Sequence, residues 1–93
     1  MIFGLNGKRY YNEQDIIDAG VEVIYWYCSE VKGRWIDIEH LMVEDSRYGY
    51  CYAKYVIEGR YDPEIETLYR MKHRSGGTLW VKWYIEELST ETA

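Results

Sequence analysis

The chain has 93 residues, enough for one domain, here taken as 1–93 with residues 89–93 (STETA) expected to be a frayed tail. Its net charge of −5 excludes the global basic footprint of a duplex-binding protein, and two cysteines are too few for a secreted disulfide framework. Eleven Tyr and four Trp stand against one Phe, so the aromatics are of the kind with a polar tip, favoured where a surface is half wet or meets a partner.

The N-terminal MIFGLNGKRYY turns polar at Asn6, too early for a signal peptide, and no apolar run approaches the ~20 residues of a membrane span. A cytoplasmic protein is expected, including one acting in a host cytoplasm if viral. Residues 2–5 (IFGL) and 8–11 (KRYY) flank Asn6-Gly7, a pair that tolerates positive φ and so predicts a type I′ hairpin.

Residues 12–33 follow. Asn12 suits an N-cap, and Lys32-Gly33 suits a helix end. At 100° steps Ile16, Ile17, Gly20, Val21, Ile24, Cys28 and Val31 share one arc, while Asp18, Glu22 and Ser29 gather opposite. One amphipathic helix over about 13–32 is expected, with Gly20 a local weakness.

Beyond Gly33 the period changes to two. Residues 34–43 alternate, residues 48–58 alternate with Tyr48, Tyr50 and Tyr52 in a row, and residues 78–88 close the series. Turns are expected at Glu44–Arg47, Gly59–Pro63 and Ser75-Gly76-Gly77. Residues 63–73 read as a strand because residues 78–88 then gain a hairpin partner. Asp62-Pro63-Glu64 is also a helix start, with Arg70, Lys72, His73 and Arg74 suited to the helix end. No internal repeat is visible. The expected fold is α+β: an N-terminal β-hairpin and one long amphipathic helix packed on a four-stranded antiparallel meander sheet.

On that sheet, one face collects an apolar set for the helix, with Cys51 among it and His40 at its edge. The other face collects Trp35, Tyr48, Tyr50, Tyr52, Lys54, Arg70, Lys72, Trp80, Lys82 and Tyr84, which no second helix covers. Aromatics interleaved with cations on an open face predict a partner-binding surface, the plainer alternative being cross-strand pairing that stabilises the sheet. A second candidate surface is the acidic helix face, Glu13, Asp15, Asp18 and Glu22, within a stretch (12–32) of net charge −4.

Enzyme signals are poor. There is no HExxH motif, no Cys/His spacing for zinc, and Gly76-Gly77 lacks the Lys-Ser/Thr of a phosphate loop. No catalytic residue, metal or cofactor is expected. The expected function is a small protein-binding module, an inhibitor or adaptor acting on a nucleic-acid-handling protein. Small, acidic, motif-free domains of this kind are common among phage anti-defence proteins, anti-CRISPR proteins included. The alternative is single-stranded nucleic acid or nucleotide binding, bases stacking on the tyrosines and Lys54, Arg70, Lys72 and Lys82 taking phosphates. A homodimer through the aromatic face accompanies either.

Overall fold

The computed structural model describes residues 1–74 and 79–89. The hairpin expected at Asn6-Gly7 is present. Strand β1 (Phe3–Leu5) pairs antiparallel with β2 (Lys8–Tyr10), Phe3 lying opposite Tyr10. Asn6 at φ 52° and Gly7 at φ 84° adopt the left-handed conformations that a type I′ turn requires.

Beyond the hairpin the chain is helical, which corrects the expected fold. In place of one long helix on a four-stranded meander there are six helices and this single two-stranded sheet among the described residues. The expected helix over 13–32 is two helices. In α1 (Glu13–Ala19) the Asn12 side chain caps the first turn, accepting the Asp15 N–H at 2.9 Å. Gly20, at φ 108° and ψ 176°, then turns the chain through a conformation almost confined to glycine. Helix α2 (Val21–Tyr27) follows and passes directly into a π-helical turn, Cys28–Lys32, closed by Gly33 at φ 83°.

Each expected strand of the meander is replaced in turn. Residues 34–43 form a 3-10 turn, Ile36–Ile38, and α3 (Glu39–Met42). The tyrosine row lies in α4 (Ser46–Tyr52), capped by Asp45, and the chain continues into a second π turn, Ala53–Ile57. Residues 63–73 take the helical alternative as α5 (Pro63–Lys72), with Pro63 in its first turn. The last expected strand is α6 (Leu79–Tyr84) with a third π turn, Ile85–Ser89. The turn expected at Ser75-Gly76-Gly77 and residues 90–93 of the expected tail lie outside the described residues.

The tyrosine row misleads because α4 is enclosed. It contacts α2, α3 and α6. Tyr48 meets Tyr25 of α2, Tyr50 meets Trp80 and Trp83 of α6, and Tyr52 bonds Glu39 of α3. A helix covered on several sides carries apolar residues around most of its circumference, so its 3.6-residue period is lost. The surviving alternation imitates a strand.

The expectation of no internal repeat is also corrected. Val21–Tyr27 with its π turn and Ser46–Tyr52 with its π turn match in length, element for element, 25 positions apart. Helix α6 and its π turn make the same pairing a third time. Each pair is preceded by a first helical segment: α1, then Ile36–Met42, then α5. The chain is thus three helix–helix–π units whose second helices lie side by side in the order α2, α4, α6. Overall extents of 44 × 27 × 21 Å fit units stacked along one axis.

Candidate functional site

Each unit carries a carboxylate from its first helical segment to a tyrosine near the end of its second. In the middle unit Glu39 is fully buried. Arg34 grips it with two bonds, Nε to Oε2 at 2.8 Å and Nη2 to Oε1 at 3.0 Å, and the Tyr52 hydroxyl donates to Oε2 at 2.9 Å. The same hydroxyl accepts the Trp35 backbone N–H at 2.7 Å. The third unit repeats this bond for bond. Arg60 holds Glu66 through two bonds of 3.0 Å, Tyr84 donates to Glu66 at 2.9 Å, and Tyr84 accepts the Tyr61 N–H at 3.0 Å. The first unit keeps the carboxylate and the tyrosine, Tyr27 donating to Glu13 at 2.9 Å, but takes its cation from Lys32 at 2.7 Å.

These groups serve the fold. Burial drives the Tyr52 and Tyr84 hydroxyls well above the ordinary tyrosine range, which keeps them neutral donors. In the first unit, bonds from Lys32 and then Tyr27 hold the Glu13 carboxyl below its usual range.

The surface chemistry lies across the second helices. Trp26 meets Tyr25 edge-on at 5.0 Å, and Tyr25 meets Tyr48 at 5.6 Å. The Arg47 guanidinium lies 5.4 Å from the Tyr48 ring and 5.8 Å from the Trp80 ring, bridging α4 to α6. Trp80 meets Trp83 edge-on at 5.2 Å, and Tyr50 packs against both. The result is a ladder of rings, bridged by Arg47, that crosses all three units. Trp26 and Arg47 are exposed along it, Tyr48, Trp80 and Trp83 are half-buried, and exposed Tyr55 lies 5.6 Å from the Lys54 ammonium. At its lower end Lys54 reaches the Tyr50 hydroxyl at 3.0 Å and Glu87 at 3.2 Å, while Tyr50 donates to Glu87 at 2.7 Å. The Tyr50 bond, followed by Lys54, draws the Glu87 carboxyl below its usual range.

The structure divides the ten residues expected on one sheet face. Tyr48, Lys54 and Trp80 are on the ladder, and Tyr50 forms its buried backing. Trp35, Tyr52 and Tyr84 are interior, so they present no surface to a partner or a base. Arg70 pairs with Glu66 at 3.2 Å, Lys72 pairs with Glu44 at 3.4 Å, and Lys82 is exposed on α6. The acidic face is likewise divided. Glu13 is engaged as above, Asp15 accepts the Tyr11 N–H at 3.1 Å, Asp18 accepts from Gln14 at 2.9 Å, and Glu22 is exposed.

Trp26, Arg47, Tyr55 and Trp83 were outside the expected site. A signal for two of them is present in the sequence: Trp26-Tyr27 and Trp83-Tyr84 are the same doublet, and in both the tyrosine bonds its unit's carboxylate. Cys28 is buried and its thiol is pushed up to about 12 by burial, while burial raises half-buried Cys51 as well; neither is poised as a thiolate at neutral pH. His40 is exposed rather than set at the edge of an apolar sheet face. Among the described residues no group of three or more His, Cys, Asp or Glu is arranged to hold a metal ion, and no helix is long and apolar enough to cross a membrane. Compared with protein-family models, with curated proteins and with solved structures, the chain matches none.

Proposed function

We propose that the chain is a non-enzymatic protein-binding module, an inhibitor or adaptor, which engages a partner protein through the ring ladder on α2, α4 and α6. The observation that carries this reading is the placement of Trp26 and Arg47 in solvent on a base of packed rings. Tyr, Trp and Arg are the side chains that concentrate binding energy at protein interfaces. Here they are held by neighbouring rings, so little side-chain freedom remains to be lost on association. Stacked helical units also present one continuous lateral surface, the arrangement by which helical-repeat proteins bind their partners. An inhibitor of a nucleic-acid-handling protein, of the phage anti-defence type, suits the small size and the charge of −5.

The test is capture from nuclease-treated host lysate, with Trp26→Ala/Arg47→Ala beside the wild type and circular dichroism as the control for folding. A protein retained by the wild type and lost by the folded variant supports the reading. Equal retention by both, or retention only of nucleic acid when nuclease is omitted, overturns it.

A further inference from the structure

A cavity of about 510 Å³ opens between α5 and the last helical segment, lined by Arg70, His73, Arg74, Val81, Lys82, Ile85 and Glu86. Its position is distinct from the ladder. At 100° per residue Trp80 and Trp83 project from one side of α6, and Val81 and Lys82 project from the other. The wall has three permanent cations against one carboxylate on a chain that is acidic overall. Two of those cations are uncommitted: among the described residues neither Arg74 nor Lys82 forms an ion pair. The Arg70 guanidinium is already paired with Glu66 of its own helix at 3.2 Å, so Arg74 and Lys82 are the cations the wall offers a ligand. His73 is fixed, its Nε2 donating to the Val43 carbonyl at 2.8 Å and its ring edge-on to Tyr69. Between these polar groups Val81 and Ile85 provide an apolar floor.

We infer that this cleft is a second binding site, which takes an acidic peptide segment of a partner protein, one carboxylate-bearing stretch with an adjacent apolar side chain. Three features select that ligand. The cations supply the charge complement, and Arg presents a planar fork that matches carboxylate geometry. The apolar floor gives a neighbouring Leu or Phe side chain a surface to bury. The volume is far larger than a lone inorganic anion fills, and of the size that holds a short peptide fragment or a small ligand. The site deepens the protein-binding reading and rests on it, but it uses none of the ladder residues.

The experiment titrates the full chain, labelled with nitrogen-15, with a six-residue synthetic peptide carrying two aspartates beside one phenylalanine. Parallel titrations use the same peptide with asparagines and inorganic phosphate. Amide shifts are expected around Arg70, His73 and Lys82 with the acidic peptide. They should weaken at least tenfold with the asparagine peptide and in Arg74→Glu/Lys82→Glu, and persist in Trp26→Ala/Arg47→Ala. The proposal is overturned by equal binding of the asparagine peptide, by binding that survives the charge reversal in a folded variant, or by phosphate saturating the cleft at the same concentration as the peptide. Shifts confined to the ladder overturn the cleft alone and leave the protein-binding reading standing. No shift anywhere also overturns the cleft, and the lysate capture then decides the broader reading by itself.

Discussion

The Tyr52 hydroxyl donates to Glu39 Oε2 at 2.9 Å, and neither residue has any solvent exposure. That hydroxyl also accepts the Trp35 N–H, so one oxygen satisfies a buried carboxylate and a buried backbone donor together. Tyr52→Phe leaves both short of a partner, at about 1–3 kcal/mol for each buried group left unmatched. A net loss of about 2 kcal/mol is expected, read from urea unfolding. Tyr55→Phe, at an exposed position, should change stability by less than about 0.5 kcal/mol. Equal effects of the two would show that the buried bond contributes nothing.

Removing the cation from a buried carboxylate is costly because the remaining charge is stranded. Arg34→Met should destabilise by about 2–4 kcal/mol, somewhat below the loss for a fully buried pair because a third of the Arg34 side chain is in solvent. Arg60→Met should cost less, since Arg70 also reaches Glu66 at 3.2 Å and remains after the change. Chemical denaturation of the two variants tests the order, and a reversed order would contradict the role given to Arg70.

Gly49 lies where α4 passes the buried Tyr69 ring. A Cβ there would sit 2.7 Å from Tyr69 Cε1 and 3.2 Å from the Met42 carbonyl oxygen. The Tyr69 ring cannot swing aside cheaply, because its hydroxyl donates to the Ser46 carbonyl at 2.6 Å and His73 and Tyr84 pack on it. Alanine gains about 1 kcal/mol of helix propensity, yet overpacking costs about 1–3 kcal/mol. A net lowering of the melting temperature is expected for Gly49→Ala, and a rise would mean that the ring accommodates the methyl.

Tyr25, Tyr27, Tyr52, Tyr61, Tyr69 and Tyr84 are all raised above 10.0 in the folded chain, in each case chiefly by burial. Their unfolded counterparts ionise near 10, so stability is complete below that pH and falls as pH rises toward the folded values. Tyrosinate absorbance and far-ultraviolet circular dichroism should therefore change together above pH 10. Ionisation of these rings with the helical signal intact would contradict their burial.

At the acid end the sign is opposite. The folded Glu13 carboxyl is lowered by Lys32 and Tyr27, so its contribution is present above about pH 4.5 and is lost as pH falls through the folded value. Glu13→Gln should flatten the acid limb of the stability profile. An unaltered acid limb would remove Glu13 from the account.

Local chemistry in the sequence is legible where it depends on neighbours alone. Asn6-Gly7 specifies its turn and Asn12 caps α1, because each acts within a few residues. The helix start at Asp62-Pro63-Glu64 is outweighed in the sequence by the hairpin partner that a strand over 63–73 would give residues 78–88. The tertiary arrangement is not legible by periodicity. Enclosure of α4 erases the amphipathic pattern, and its aromatics then satisfy a strand template as well as a helical one. The repeat is masked by small slips in spacing. Gly33-Arg34-Trp35 recurs 26 positions later as Gly59-Arg60-Tyr61, whereas Tyr27 and Tyr52 are 25 apart. Glu58, at φ 61°, occupies the left-handed position that Gly33 fills one unit earlier, so the glycine itself is displaced by one residue. The ladder was only partly visible for the same reason. Tyr48, Lys54 and Trp80 were expected at a surface on strand parity, while Trp26, Arg47 and Trp83 become neighbours only when the second helices stack.

The two carboxylate clusters built on Arg34, Trp35, Glu39 and Tyr52, and on Arg60, Tyr61, Glu66 and Tyr84, draw every one of these members from within a single unit. The units are joined by rings such as Tyr52 on Tyr61 and Tyr25 against Tyr48, by hydroxyls of Tyr61 and Tyr69 on carbonyls of α4, and by partly exposed ion pairs, Arg34 with Asp62, Lys72 with Glu44 and Lys54 with Glu87. A gene that gained or lost one such segment would keep the buried bonds of each surviving cluster and would have a seam of rings and partly exposed ion pairs to rebuild. The architecture thus separates the parts that must be inherited together from the joints at which a lineage can lengthen or shorten the protein.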